Sequence, residues 1–196
     1  PDPQRVAAFC ATYRGVRAAR SEAEVLDDPA VRLVASATVP CRRGPLGLRA
    51  MAHGKDYFAD KPPVTSPEQL HAARRTVAET GRIYAAYYAE RLHVEAAVKA
   101  GDLIRQGAIG RVVQVIGLGP HRLNAPGRPA WFWDPKQYGG ILVDIGSHQI
   151  EQFLHYTGAS GGRVLHSKVA NYENRDHPDF QDFGDATLLA DNGATT

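Results

Sequence analysis

The sequence predicts an α/β protein in which a parallel, doubly wound sheet is followed by an α+β domain. Up to about residue 90, short apolar segments alternate with helical segments, an order typical of parallel strands joined by crossover helices. Beyond that point the segments change to longer strands and one long helix. The composition, with 43% hydrophobic and 22% charged residues, is that of an ordinary globular protein. We therefore place a domain boundary near residue 91.

The first elements are short. An Ala-rich stretch over 4–13 predicts a helix, and Ser21 with Glu24 three residues later has the spacing of a capping box. Residues 32–38 form an apolar run followed by a turn, which indicates a buried parallel strand. The other expected elements are a short strand over 16–19, a helix over 45–53 that stops at Gly54, and a strand over 56–60.

Prolines and glycines mark the ends of the next elements. The run Lys61-Pro62-Pro63 ends the strand before it, because proline cannot donate to a strand ladder and restricts the preceding residue. Ser66 before Pro67 is a strong helix start, and Gly81 is a typical stop after Thr80. A tyrosine-rich strand is then expected over 83–89.

The second half contains fewer and longer elements. A loop is predicted over 119–138, a segment that contains Pro120, Pro126, Gly127, Pro129 and Pro135. The expected elements are a helix over 94–106, a strand over 111–118, a helix over 141–156, and strands over 163–170 and 186–190. The triplet Asp191-Asn192-Gly193 is a hairpin-turn signal, and the three residues after it are fewer than a typical strand contains.

Charge, hydropathy and cysteine content exclude several classes of protein. There are 23 Lys and Arg against 21 Asp and Glu, so no basic excess exists to neutralise nucleic-acid phosphates or a membrane surface. No apolar run approaches the roughly 20 residues of a membrane-spanning helix. Cys10 and Cys41 are too few for a disulfide scaffold or a thiolate metal cage. The sequence thus favours a cytoplasmic protein that binds a small molecule.

Lys61 is the first candidate for chemistry. It follows a presumed parallel strand, and ligands of open α/β sheets bind outside the carboxyl ends of such strands. A lysine held there can donate to a substrate hydroxyl. The alternative is an exposed lysine beside a turn, as most lysines are.

Asp144 and His148 are the second candidates. They are four residues apart in the segment GGILVDIGSH over 139–148 and so share a helix face, which Glu151 and His155 extend. A carboxylate beside a histidine suits acid–base catalysis. The pair is also compatible with half of a metal site, which needs further ligands, or with a polar pair on a solvated face.

Aromatic residues and one arginine complete the candidates. Trp131 and Trp133 lie in the Pro/Gly-rich loop, where they either stack on a sugar ring or cofactor or close a domain interface. Arg91 follows a strand with Tyr87 and Tyr88 and is expected to face the same crevice, although ordinary core tyrosines explain that pattern as well.

Three motifs follow one another along the sequence: GKDYFADKP over 54–62, GAIGR over 107–111 and GGILVDIGSH over 139–148. In this order they resemble the glucose–fructose oxidoreductase/inositol dehydrogenase (Gfo/Idh/MocA) family, and the resemblance covers roughly residues 20–170. It implies a partial Rossmann domain followed by an α+β domain with a large, open, mostly antiparallel sheet, both incomplete. The expected division is the C-terminal portion of an NAD(P)-binding Rossmann domain over 1–90 and a partial substrate-binding α/β domain over 91–196.

The resemblance also implies roles for individual residues. The catalytic residues would be Lys61, Asp144 and His148, with His148 as the base and Asp144 orienting it. The cofactor NAD or NADP would contact Thr38, Pro40, Asp60, Lys61 and Arg91. The substrate would contact Lys61, Trp131, Trp133, Asp144 and His148. No metal is implied.

Two features depart from the family pattern. Asp60 stands where the family has glutamate in its Glu-Lys-Pro motif, and no Gly-x-Gly-x-x-Gly occurs in the sequence. The fold normally opens with a strand and that Gly-rich turn. Because the sequence opens Pro1-Asp2-Pro3 and its only methionine is Met51, we expect it to be the middle of a longer protein. NAD cannot be distinguished from NADP on these residues.

The expected function is hydride transfer between a nicotinamide cofactor and a hydroxyl or carbonyl of a sugar or polyol-like substrate. Two alternatives use the same fold: a cofactor-binding sensor without catalysis, and an NAD-dependent glycoside hydrolase. The full-length protein is expected to form a homo-oligomer, and the 196-residue chain is expected to be inactive alone.

Overall fold

The computed structural model describes residues 2–196, so the opening Pro1 lies outside the described residues. The first half contains five helices, α1 (Pro3–Thr12), α2 (Glu22–Asp27), α3 (Pro40–Ala52), α4 (Pro67–Thr80) and α5 (Ala89–Leu92), and three strands, β1 (Leu33–Ser36), β2 (Asp56–Asp60) and β3 (Tyr84–Tyr87). The second half contains α6 (Glu95–Arg105), α7 (Pro135–Tyr138), a π-helical segment (Leu142–Gly146), α8 (Ser147–Thr157), β4 (Gly162–Ala170) and β5 (Phe183–Ala190).

The three short strands of the first half form one parallel sheet in the order β1-β2-β3. Val34 lies beside Tyr57, and Tyr57 lies beside Tyr84. This confirms the predicted parallel sheet and the α/β class. The carboxyl ends of the strands therefore meet at one edge, which is where Lys61 and the residues after β3 lie.

The core of this half lies between the sheet and α3. Leu26, Ala50, Met51, Tyr57 and Ala59 form one buried cluster. Because these side chains fix α3 against β2, they also fix the loop that connects β1 to α3 at the sheet's carboxyl edge.

Helix α3 begins five residues before the predicted helix over 45–53, and Pro45 lies in its interior. The proline removes the amide hydrogen that would normally bond to the carbonyl of Cys41. That carbonyl instead accepts a hydrogen bond from Gln69 Nε2 at 3.0 Å. A side chain from α4 thus compensates for the proline, which the local pattern could not reveal.

Helix α4 has the predicted bounds. Ser66 Oγ accepts a hydrogen bond from the amide of Gln69, and Gly81 ends the helix in a left-handed conformation with φ of 63°. Ser21 caps α2 through the amide of Glu24, as the capping-box spacing predicts.

The second half is built on an antiparallel pair, β4 with β5. Phe153 of α8 packs on Leu188, Ala190 and Ala194 and forms a second core cluster. The hairpin turn over 191–193 is confirmed, because the amide of Ala190 bonds to the carbonyl of Ala194 at 2.8 Å. The chain then returns along β5, where the amide of Thr196 bonds to Leu188.

Two predicted strands are wrong. Residues 16–19 contain no strand, because the amide of Val16 bonds to Tyr13 in a turn. Residues 111–118 contain only an isolated bridge from Gln114 to Thr195. A strand needs a paired neighbour along its length, and this segment pairs with one residue.

Two smaller differences concern element ends. Strand β5 begins at Phe183, three residues earlier than predicted. The predicted strand over 83–89 ends at Tyr87, and the chain turns into α5 at Ala89.

None of the helices described over residues 2–196 is both long enough and apolar enough to cross a membrane.

Candidate active site

A cavity of about 310 Å³ lies at the carboxyl ends of β1 and β2. Its walls come from both halves of the chain. Pro40, Asp60 and Lys61 line it from the parallel sheet, and Trp131 and Asp144 line it from the second half. This is the place where open α/β sheets bind ligands.

Lys61 and Asp144 form the central contact of the cavity. Lys61 Nζ donates to Asp144 Oδ1 at 2.9 Å and to the backbone oxygen of Asp144 at 2.7 Å. Both side chains are largely buried, so the ion pair is poorly screened by solvent. The structure therefore brings together two residues that are 83 positions apart in sequence.

The backbone around Asp144 is unusual in two ways. Gly139 and Gly140 have φ of 94° and 85°, a region that favours glycine. A Cβ on Gly140 would lie 2.6 Å from Gln181 Oε1, the atom that accepts a hydrogen bond from the amide of Ile141. The next five residues form the π-helical segment, a feature that is frequent at functional sites. Both features position Asp144 over Lys61.

His148 is buried beside this pair rather than in the cavity wall. Its Nδ1 has no hydrogen-bond partner, and the ring of Tyr88 meets it edge-on at 5.7 Å between centroids. Burial lowers the pKa of His148 below its ordinary value, and the positive charge of Lys61 lowers it further. The imidazole is therefore favoured in its neutral form, in which it can accept a proton.

The expected contact between Asp144 and His148 is not an ion pair in the structure. The carboxylate of Asp144 binds Lys61, whereas His148 Nδ1 forms a charge contact with the carboxylate of Glu90, at 3.9 Å. Asp144 and His148 therefore do not pair with each other, although their four-residue spacing predicted a shared helix face. Sequence reasoning missed Glu90, although it is adjacent to Arg91 at the same strand end.

Arg43 is a second residue that sequence reasoning missed. It is buried, and its guanidinium donates to Thr38 O at 2.8 Å, to Pro62 O at 3.2 Å and to Lys61 O. It also pairs with Asp60 at 3.4 Å. Burial lowers the pKa of Arg43 while the charge of Asp60 raises it. This one side chain holds together the chain segments that follow β1 and β2.

Of the remaining residues predicted to form the site, some line the cavity and others contact side chains outside it. Trp131 lines the cavity together with Phe132, over whose ring Arg128 stacks at 4.1 Å. Trp133 instead stacks on His177 at 3.9 Å. Arg91 is paired with Glu151 of α8. In the part of the chain described here, no group of three or more His, Cys, Asp or Glu side chains is arranged to hold a metal ion.

Comparison with known proteins places both halves of the chain in one family. Residues 1–88 match the profile of an oxidoreductase family with an NAD-binding Rossmann fold. Residues 97–196 match the profile of the GFO/IDH/MocA C-terminal domain.

Curated relatives are dehydrogenases of small polyols and sugars. The chain is 31% identical to scyllo-inositol 2-dehydrogenase (NAD(+)) of Bacillus subtilis over 83% of its own length and 44% of that protein. It is 26% identical to D-xylose dehydrogenase of Paenarthrobacter nicotinovorans over 78% of its length and 39% of that protein. The chain thus spans less than half the length of these relatives.

Solved structures agree on the fold. A crystal structure from Erwinia carotovora atroseptica, provisionally described as an oxidoreductase, superposes with a TM-score of 0.94 at 50% identity, covering 99% of this chain and 58% of that one. Levoglucosan dehydrogenase in complex with NADH and levoglucosan shares the fold, with a TM-score of 0.86 at 21% identity over 99% of this chain and 54% of that one. The chain belongs to the GFO/IDH/MocA oxidoreductase family, and its first half is part of that family's NAD-binding Rossmann fold.

Proposed function

We propose that the protein containing this chain is an NAD(P)-dependent dehydrogenase that transfers hydride between the nicotinamide and a hydroxyl or carbonyl of a sugar or polyol-like substrate. The observation that carries the proposal is the Lys61–Asp144 contact at the strand ends, beside the buried His148. The names of the two curated relatives support the substrate class. We also propose residues 1–90 and 91–196 as the cofactor-binding and substrate-binding parts.

The residues present fit the nicotinamide end of the cofactor. The cavity opens at the carboxyl edge of a parallel sheet, where Pro40, Asp60 and Lys61 line it. The Gly-x-Gly-x-x-Gly turn that holds the diphosphate is not in the sequence. NAD(P), when bound, supplies the hydride acceptor or donor.

The chain's own residues would orient the substrate and move its proton. Lys61 Nζ and the carboxylate of Asp144 offer one donor and one acceptor to neighbouring hydroxyl groups. His148 takes the hydroxyl proton during oxidation, and its lowered pKa keeps it unprotonated and ready. When a carbonyl is reduced, His148 returns the proton.

The aromatic wall supports a sugar-like substrate. Trp131 contributes an indole ring to the wall of a cavity that also contains charged groups, whereas the ring of Phe132 is covered by Arg128 and Tyr138. The C–H faces of a pyranose or inositol ring pack on an indole ring while the hydroxyls reach polar side chains. This combination favours a small polyhydroxylated molecule.

The proposal is tested on the complete gene product, because the chain spans less than half the length of its curated relatives. Polyols and aldoses are offered with NAD and NADP while reduction of the nicotinamide is followed by absorbance. We expect Lys61→Ala and His148→Ala to lower kcat/KM by about 100-fold or more, in the range of lost acid–base catalysis. The matched control is Lys99→Ala, an exposed lysine of α6.

Two outcomes would count against the proposal. Wild-type turnover in both site variants would remove Lys61 and His148 from the mechanism. Cofactor binding without turnover of any substrate would favour a sensor on the same fold.

A further inference from the structure

His148 is a buried base whose proton needs a route to solvent. Its side chain is 6% exposed, and its Nδ1 forms no hydrogen bond within residues 2–196. The ionisable groups that act on it are Lys61, Glu90, His121 and Asp144, and the ring edge of Tyr88 packs against it. These neighbours are therefore the candidates for a group that takes a proton from His148.

Glu90 is the neighbour that faces Nδ1. It lies on α5, directly after β3, with Oε2 at 3.9 Å from His148 Nδ1. Asp144 is committed elsewhere, because its Oδ1 accepts from Lys61 Nζ at 2.9 Å. The separation between Glu90 and His148 is longer than a hydrogen bond, so a proton transfer between them requires the Glu90 side chain to move closer to Nδ1.

His121 contacts the other carboxylate oxygen of Glu90. Its Nε2 lies 3.5 Å from Glu90 Oε1, and its Nδ1 lies 3.0 Å from the carbonyl of Gly119. A carbonyl only accepts, so Nδ1 carries the proton of the neutral ring, and Nε2 is the nitrogen that can accept a proton from Glu90. The exposed fraction of the side chain rises from 6% in His148 to 33% in Glu90 and 44% in His121.

We propose that Glu90 positions His148 and relays its proton to His121, from which the proton reaches water. The inference rests on the proposed function, because oxidation of a hydroxyl leaves one proton to be released. The substrate O–H bond breaks and an N–H bond forms on His148. The Nδ1–H bond of His148 then breaks as that proton moves to the Glu90 carboxylate, on to His121 Nε2 and finally to water. His148 is left neutral, with the proton from the substrate on Nε2. The electron pair leaves separately with the hydride, so the relay moves protons only.

The first test needs no activity. The histidine ring signals of the complete gene product are followed by NMR as pH is varied. In Glu90→Gln we expect the pKa of His148 to fall, because the carboxylate charge favours the protonated ring. In His121→Gln we expect it to rise, because the charge of His121 disfavours that form. Opposite directions cannot come from a common loss of structure.

The matched control is Glu79→Gln on the exposed face of α4, which should leave His148 unchanged. An unchanged His148 titration in folded Glu90→Gln overturns the inference. If that variant does not fold, Glu90→Asp and His121→Gln replace it, and an unchanged titration in both has the same consequence.

The second test uses the complete gene product with a substrate found active. We expect Glu90→Gln to lower kcat by about tenfold or more at unchanged KM, with partial recovery when imidazole is added as a mobile proton carrier. An unchanged kcat in that variant overturns the relay. If the wild-type protein turns over no substrate, the proposed function fails, and the NMR titration alone then decides whether Glu90 acts on His148.

Discussion

At the level of single residues, the charged side chains of the site form two separate groups of contacts. Lys61 and Asp144 bind each other, and Glu90 lies between His148 and His121. A neutral imidazole next to an ammonium group is favoured on electrostatic grounds, since a second positive charge there would be repelled. Burial acts in the same direction on His148. The arrangement therefore keeps the buried imidazole of His148 unprotonated, while Asp144 is paired with Lys61 and Glu90 lies against both histidines.

This arrangement predicts how stability depends on pH. The pKa of His148 lies below its ordinary value of 6.5 in the folded chain, chiefly through burial. Below about pH 6.5 the unfolded state therefore binds more protons than the folded state. We expect the free energy of unfolding to fall as pH decreases from about 6.5 towards the folded-state pKa. Urea denaturation at a series of pH values measures it.

Replacing His148 shows how much this residue contributes to the pH dependence of the free energy of unfolding. His148→Gln should reduce the slope in this pH range, whereas His166→Gln, an exposed histidine of β4, should leave it unchanged. The carboxylates with lowered pKa, such as Glu22 and Asp182, titrate below their ordinary values of 4.5 and 3.8 and so act at lower pH. An equal slope in wild type and His148→Gln would show that His148 titrates alike in both states.

At the level of elements, the close packing of α3 on the sheet depends on one glycine. A Cβ on Gly47 would lie 2.6 Å from ring atoms of both Tyr57 and Tyr84, of which Tyr57 is fully buried. We expect Gly47→Ala to destabilise the chain by about 1–3 kcal/mol, the usual cost of overpacking a core. Thermal or urea denaturation measures this.

Gly161→Ala is the matched control for that substitution. A Cβ added at Gly161 would have Asp191 Oδ2 as its nearest neighbour, at 4.0 Å. We therefore expect the free energy of unfolding to change by no more than about 0.5 kcal/mol. Equal stability of the two variants would mean that α3 can move away from β2 without cost. It would then follow that the position of the β1–α3 loop is not fixed by this contact.

The sequence predicts those elements whose boundaries are set by local chemistry. Helix α4 has a serine cap and a terminal glycine, and strand β2 ends at a proline pair, so both agree with the structure. Residues 111–118 have strand-forming side chains but only one bridge, to Thr195. Pairing depends on a distant partner, which local propensity does not contain.

The same distinction applies to the candidate site. The strand-end rule places Lys61 at the crevice, and its partner Asp144 belongs to a motif that the sequence also marks. Glu90 carries no motif, and its contacts with His121 and His148 depend on how two halves of the chain meet. The four-residue spacing of Asp144 and His148 predicts a shared helix face, but it does not reveal that the carboxylate of Asp144 binds Lys61.

At the level of the whole molecule, two ion pairs that involve a lysine or an arginine join the first half of the chain to the second. Lys61 pairs with Asp144 at the cavity, and Arg91 pairs with Glu151 of α8. The second pair lies beside α5, the element that carries Glu90. A rigid connection here would keep the distance between Glu90 and His148 constant, because Glu151 and His148 are on the same helix.

A double-mutant cycle measures that connection. The side chains of Arg91 and Glu151 are 25% and 21% exposed, so their contact is only partly screened. We expect a coupling free energy of about 1.5–3 kcal/mol from Arg91→Ala, Glu151→Ala and the double variant, as for hydrogen bonds to charged groups. The exposed pair Arg49–Glu22, at 50% and 49%, lies within the first half and should couple by about 0.2–1 kcal/mol. Equal coupling in the two cycles would contradict a special role for Arg91–Glu151 in holding α5 against α8.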